Sequence, residues 1–176
     1  MPAAIRRSYA QMRTLLILRH GKAAPETGEG GSDATRPLTA RGKREAELMG
    51  QLLHSDNLVP DRILASNARR TRETAREAAA AVHFSGAIDE LDELYLAEPE
   101  AYIAAVRRNA PDAQRVLLVG HNPGLEALAL ILTGDPVALP TGGLVVCSLP
   151  IASFAELTPR VRGKMHRFVA PSELEH

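Results

Sequence analysis

Two histidines in this 176-residue chain stand directly after apolar runs. Leu15-Leu16-Ile17-Leu18 leads into Arg19-His20-Gly21, and Val116-Leu117-Leu118-Val119 leads into Gly120-His121-Asn122-Pro123. A neutral imidazole is a competent nucleophile near pH 7, because its unperturbed pKa of about 6.5 leaves a lone pair available. Arg19 sets a permanent cation beside His20, and a guanidinium presents a planar fork of donors that matches phosphate oxygens. Gly21 and Gly120 allow tight turns and close approach of the backbone to a ligand. A third basic group opens a helix-length segment, Ser66-Asn67-Ala68-Arg69-Arg70-Thr71-Arg72-Glu73-Thr74. Positive side chains at a helix N-terminus oppose the macrodipole, and a bound anion there would offset that cost and meet free backbone N–H groups. The same arginines also read as a solvated face paired with Glu73 and Glu77. Recognition of a phosphate-bearing group beside a nucleophile is the chemistry these residue types share.

Such groups need a scaffold that brings them together. Residues 15–18 form an apolar run of strand length, as expected for a strand covered on both faces. A polar loop with Gly28, Gly30 and Gly31 follows, and Thr39 is placed to N-cap a helix running to about Leu53. Residues 62–65 read as a second strand, 69–81 as an Ala-rich helix, and 88–94 as a short strand or loop. Residues 100–108 are helical, with Pro99 tolerated in the first turn. A strand over 116–119, a helix over 125–132 ending near Gly134, and strands at 144–146 and 165–169 complete the order. Alternation of this kind predicts an α/β fold, a three-layer α/β/α sandwich with a mostly parallel central sheet. Ligands in such sheets collect outside the carboxyl ends of the strands, near a switch point in strand order. If the two histidine-bearing strands are neighbours, His20 and His121 converge from distant parts of the chain.

Composition sets the outer bounds. Apolar residues make up 45% and charged residues 24%, enough for one buried core. Formal net charge is zero, with 21 basic against 21 acidic residues, which argues against a nucleic-acid or membrane-surface binder. One cysteine, Cys147, excludes an intramolecular disulfide and a Cys-rich zinc site. No apolar stretch approaches the roughly 18 residues of a membrane span, so a cytoplasmic globular protein is expected. Residues 1–13 read as a loose extension without a signal-peptide core, 14–171 as the domain, and 172–176 as a tail whose Leu174-Glu175-His176 looks like a tag stub.

Taken together and in order, Arg19-His20-Gly21, Ser66…Arg70…Glu73-Thr74 and Gly120-His121-Asn122-Pro123 resemble the histidine phosphatase superfamily, whose fold is phosphoglycerate mutase-like. Arg36-Pro37-Leu38-Thr39-Ala40-Arg41-Gly42, Glu93-Leu94-Tyr95-Leu96-Ala97 and Arg167-Phe168-Val169-Ala170-Pro171 are similar to the SixA-type phosphohistidine phosphatases. The resemblance implies that His20 is the nucleophile that becomes phosphorylated. It implies that Arg19, Arg70 and His121 bind the phosphoryl group, with Asn122 assisting. Asn67, Thr71 and Glu73 depart from the family's proline, alanine and glutamine, which leaves open whether Arg69 shares the role of Arg70. Glu93 occupies the place where many superfamily members carry a general acid; an acidic surface turn with Glu90 and Asp92 is the alternative. Arg19, Arg70 and a protonated His121 can supply donors without a metal or cofactor.

The activity implied is hydrolysis of phosphohistidine on a signalling or phosphotransfer protein, through a phosphohistidine on His20. A broad phosphomonoesterase for small phosphate esters and a non-catalytic phospho-ligand module are the rivals. An imidazole leaving group demands less of an acid than an alkoxide does, so an uncertain acid fits the first reading better. His54, His83 and His166 have no motif around them and read as surface or packing residues. Lys22 reads equally as a contributor to the pocket or as solvated, and Cys147 as a buried thiol. Tyr95 and Tyr102 fit core packing.

Overall fold

A computed structural model describes residues 12–26 and 31–175. Most of the expected N-terminal extension, together with Gly28, Gly30 and His176, lies outside the described residues. Among the described residues, six strands, β1 (Arg13–Arg19), β2 (Arg62–Ser66), β3 (Ile88–Leu91), β4 (Arg115–Gly120), β5 (Leu144–Leu149) and β6 (Lys164–Val169), form one sheet. Their order is β3-β2-β4-β1-β5-β6. The first four in that order run parallel, while β5 is antiparallel to both of its neighbours. Four helices connect them: α1 (Ala40–Ser55), α2 (Arg69–Val82), α3 (Pro99–Asn109) and α4 (Gly124–Thr133).

The layers follow from the handedness of the crossovers. The chain steps outward from β1 to β2 to β3, and right-handed crossovers put α1 and α2 on one face. It then turns back to insert β4 between β2 and β1, so the same handedness sends α3 to the other face. Alternating side chains of β1 feed both layers. Leu16 and Leu18 pack with Met49, Leu53, Ala75 and Ala78 of α1 and α2. Leu15 and Ile17 pack with Ile103, Val106, Leu125 and Leu128 of α3 and α4. All four β1 leucine and isoleucine side chains are fully buried, which accounts for an unbroken apolar run where a half-exposed strand would alternate.

Helix ends match local chemistry. Thr39 caps α1 through its hydroxyl, which accepts from the Gly42 N–H at 3.0 Å. Pro99 occupies the first turn of α3, and Gly134 closes α4 in the left-handed conformation. The 88–94 segment divides into β3 and a single 3-10 turn, Asp92–Leu94. At the other end, Pro171–Glu173 forms a 3-10 turn, and Leu174 packs against the α1/α2 core, so this residue joins the fold from which the sequence reading set it aside. Among the described residues, no helix is long and apolar enough to cross a membrane.

Candidate active site

β1 and β4 lie side by side and parallel, with Arg19 in register with Gly120. The helix that follows β1 goes to one face and the helix that follows β4 goes to the other, so the backbone parts at their carboxyl ends. That opening is the switch point at which α/β sheets bind ligands. His20 and His121 both sit there, with ring centroids 5.5 Å apart. Arg70 arrives from the first turn of α2, just beyond the end of β2.

The loop carrying His20 is fixed on three sides. Its N–H donates to Gly120 O at 3.1 Å, and the next N–H, of Gly21, donates to Thr74 Oγ1 at 3.0 Å. Lys22 N–H donates to the buried carboxylate of Glu45 at 2.9 Å. Gly21 also passes so close to α1 that a Cβ there would lie 2.3 Å from Gly42 O, so no larger residue fits without moving the helix. His20 Nδ1 lies 2.8 Å from Gly21 O. A carbonyl only accepts, so Nδ1 carries the proton and Nε2 keeps its lone pair. Burial, reinforced by Arg70, Arg19 and Arg36 and opposed by the Gly21 bond, lowers the pKa of His20 from 6.5 to about 4.

His121 is held in the opposite tautomer. Its Nδ1 lies 3.3 Å from Arg70 Nη2, which can only donate, and its Nε2 lies 2.8 Å from Ser66 Oγ. Nδ1 therefore accepts, and Nε2–H donates to the serine. The His121 N–H donates to Tyr102 Oη at 3.0 Å, and Gly120 leaves room for that phenol, since a Cβ there would lie 2.3 Å from the same oxygen. Burial, then Arg70 and His20, lower the His121 pKa to about 3. The desolvated ring beside a guanidinium is thereby held neutral in this arrangement.

Arg70 is only 3% exposed and spans the site. Its Nη1 donates to Asp33 O at 2.7 Å and its Nη2 to Asp33 Oδ2 at 2.9 Å, while Nε is buried without a partner. Arg19 Nη1 donates to Leu139 O at 3.0 Å, and its Nε is likewise buried and unpartnered. Asn122 Nδ2 donates to the same Leu139 O at 2.8 Å, leaving its Oδ1 buried with no partner. Each guanidinium thus keeps one buried N–H without a partner.

Five of the expected residues, Arg19, His20, Arg70, His121 and Asn122, gather at these strand ends. Glu93 stands apart: its side chain is 40% exposed and its carboxylate is paired with Arg108 Nη2 of α3. Arg69 turns to the surface and pairs with Glu73 at 2.9 Å. Sequence reasoning missed Asp33 and misread Tyr95. Asp33 Oδ1 accepts from Arg36 Nη1 at 3.0 Å, and Oδ2 accepts from both Arg70 and the Tyr95 hydroxyl. Tyr95, read as core, instead sets its ring edge-on to His121 at 5.6 Å. The Tyr95 hydroxyl, with Arg36 and Arg70, holds the Asp33 carboxyl far below the usual carboxylate range.

Comparison with known proteins bears on the family and the fold. The sequence profile of the histidine phosphatase superfamily (branch 1) matches residues 15–111. An uncharacterised protein of Mycobacterium tuberculosis is 33% identical over 140 residues, covering 73% of this chain and 85% of its own. A crystal structure from Agrobacterium tumefaciens, assigned as the phosphohistidine phosphatase SixA, has a TM-score of 0.72 at 33% identity, covering 90% of this chain and 99% of that one. A structure from Nakamurella multipartitia with the same assignment has a TM-score of 0.77 at 28% identity, covering 91% and 96%. The fold, the profile match and these likenesses lead to one conclusion: this chain belongs to the histidine phosphatase superfamily.

Proposed function

We propose that the chain is a phosphohistidine phosphatase acting on a phosphorylated signalling or phosphotransfer protein. The observation that carries this reading is His20: neutral, with Nδ1–H committed to Gly21 O so that Nε2 keeps the lone pair, in a ring 5.5 Å from that of His121. Nε2 attacks phosphorus, the bond from phosphorus to the substrate nitrogen breaks, and the phosphoryl group passes to His20. Water then attacks the phosphohistidine, releasing inorganic phosphate and restoring the imidazole. Arg19 and Arg70 supply N–H donors to the equatorial oxygens, and Asn122 borders them. A phosphate oxygen that takes the Arg70 Nη2 donor in place of His121 Nδ1 frees that nitrogen, and its negative charge favours protonation there, giving a further donor in the transition state.

The leaving group is favoured by what the site's carboxyls can do. An alkoxide leaving group needs a proton donor, and a carboxyl of raised pKa is the common solution. Asp33 is held ionised by its three donors, and Glu93 is turned away into its pair with Arg108. The imidazole of a protonated phosphoimidazole departs as a neutral ring and needs no such acid. Residues 83–98, between α2 and α3, contain only β3 and one 3-10 turn, so this segment holds no inserted domain. The test offers a phosphohistidine-bearing carrier protein and p-nitrophenyl phosphate in the presence of a chelator. Preference for the carrier, lost in His20→Ala, is the expected result. Preference for p-nitrophenyl phosphate would make the chain a phosphomonoesterase instead.

A further inference from the structure

Asp33 is a carboxylate in a site that has to attract phosphate, and the mechanism above gives it no task. It is not a stray surface charge. The 3-10 turn Asp33–Thr35 places it against Arg70, whose Nη1 takes the Asp33 main-chain oxygen and whose Nη2 takes Oδ2. Tyr95 and Arg36 hold the remaining sides. A carboxylate has about four lone-pair positions, and these three donors leave one of them open. Burial gives the direction. His20 and Arg70 lie in the floor, whereas the Asp33 side chain is 36% exposed at the mouth. An in-line displacement puts the leaving group opposite the nucleophile, on the mouth side of phosphorus.

We propose that Asp33 is a specificity-determining residue, whose free carboxylate lone pair accepts a hydrogen bond from the ring N–H of the departing imidazole. This assignment rests on the phosphohistidine reading above. In the reactive substrate, one ring nitrogen bears the phosphoryl group and the other bears a proton, so the ring is cationic. When His20 Nε2 bonds to phosphorus, the old N–P bond breaks and its electron pair stays on the leaving nitrogen. The proton stays on the far nitrogen, and neutral imidazole departs with no proton transfer in the step. A fixed anion beside that N–H orients the ring and favours its cationic form. The same anion repels a second negative charge, so it disfavours dianionic phosphate esters.

The test measures kcat/KM of the wild type and Asp33→Asn on three substrates. These are phosphoimidazole, its ring-N-methylated phosphoimidazolium counterpart (equal in charge but lacking the N–H) and p-nitrophenyl phosphate. The wild type should prefer phosphoimidazole to the methylated compound. Asp33→Asn should lose about 10–100-fold on phosphoimidazole, the range of a hydrogen bond to a charged group, and should lose the preference over the methylated compound. On p-nitrophenyl phosphate the variant should gain about 2–10-fold, because the carboxylate no longer opposes the dianion. Opposite signs on the two substrates separate recognition from damage to the fold, which would lower both. Equal losses on all three substrates, or equal gains, overturn the assignment and leave Asp33 as a partner of Arg70 alone. A wild type that turns over p-nitrophenyl phosphate but not phosphoimidazole overturns the phosphohistidine reading, and this proposal with it.

Discussion

His20 and His121 titrate at about 4 and about 3 in the fold, against an ordinary 6.5, because burial beside cations disfavours their charged forms. This makes stability depend on pH in a defined direction. Well above pH 6.5 both rings are neutral whether the chain is folded or unfolded, and they leave stability unchanged. As pH falls below 6.5, the unfolded chain takes up two protons that the fold refuses, so stability drops until the folded values are passed. Between pH 7 and pH 5 each histidine costs the fold about 2 kcal/mol, and the pair about 4 kcal/mol. Because both folded values lie below 5, this loss is set almost wholly by the unfolded pKa. Glu73 and Asp33, also lowered, have ordinary values of 4.5 and 3.8, so their effect on stability falls mainly below this window. Urea unfolding at pH 7 and pH 5 measures the change directly. The double variant His20→Gln with His121→Gln should lose most of the pH dependence, and each single variant about half. A wild-type change under about 1 kcal/mol, or an undiminished change in the double variant, would refute the reasoning.

Arg70→Lys keeps the charge but loses the fork that reaches Asp33 and His121 together, and should lower kcat about 10²–10³-fold in steady-state assays. Tyr102→Phe leaves the buried His121 N–H without its acceptor and should cost about 1–3 kcal/mol in urea unfolding. Glu93→Gln breaks an exposed pair with Arg108 and should change phosphohistidine turnover by less than about threefold. A loss of about a hundredfold or more would instead make Glu93 the general acid.

The convergence of His20 and His121 was legible because each follows an apolar strand with a glycine alongside. Fully buried parallel strands show such runs plainly, and their carboxyl ends are where this class of sheet places its ligands. Arg70 was legible for a related reason, as a cation at a helix N-terminus where it does not favour the helix. Asp33 was not. It lies in a loop with no periodic pattern, and its partners Arg70 and Tyr95 are brought to it only by the packing of the 3-10 turn on α2. The one local signal was an acid three residues before Arg36, which reads equally as a surface pair. Tyr95 was misread because its spacing suits a core position, whereas its hydroxyl is drawn to Asp33. The direction of Glu93 was set by Arg108, on a helix whose register against the 3-10 turn no local sequence specifies.

The central claim is that His20 carries the phosphoryl group between substrate and water. Rapid-quench mass spectrometry during the first turnover tests it most directly. The account predicts a transient gain of one phosphoryl group on the His20 peptide, labile in acid and stable in alkali. It also predicts that the gain is absent in His20→Ala, together with turnover. A phosphoryl group found on another residue, or turnover that persists in His20→Ala, would contradict it.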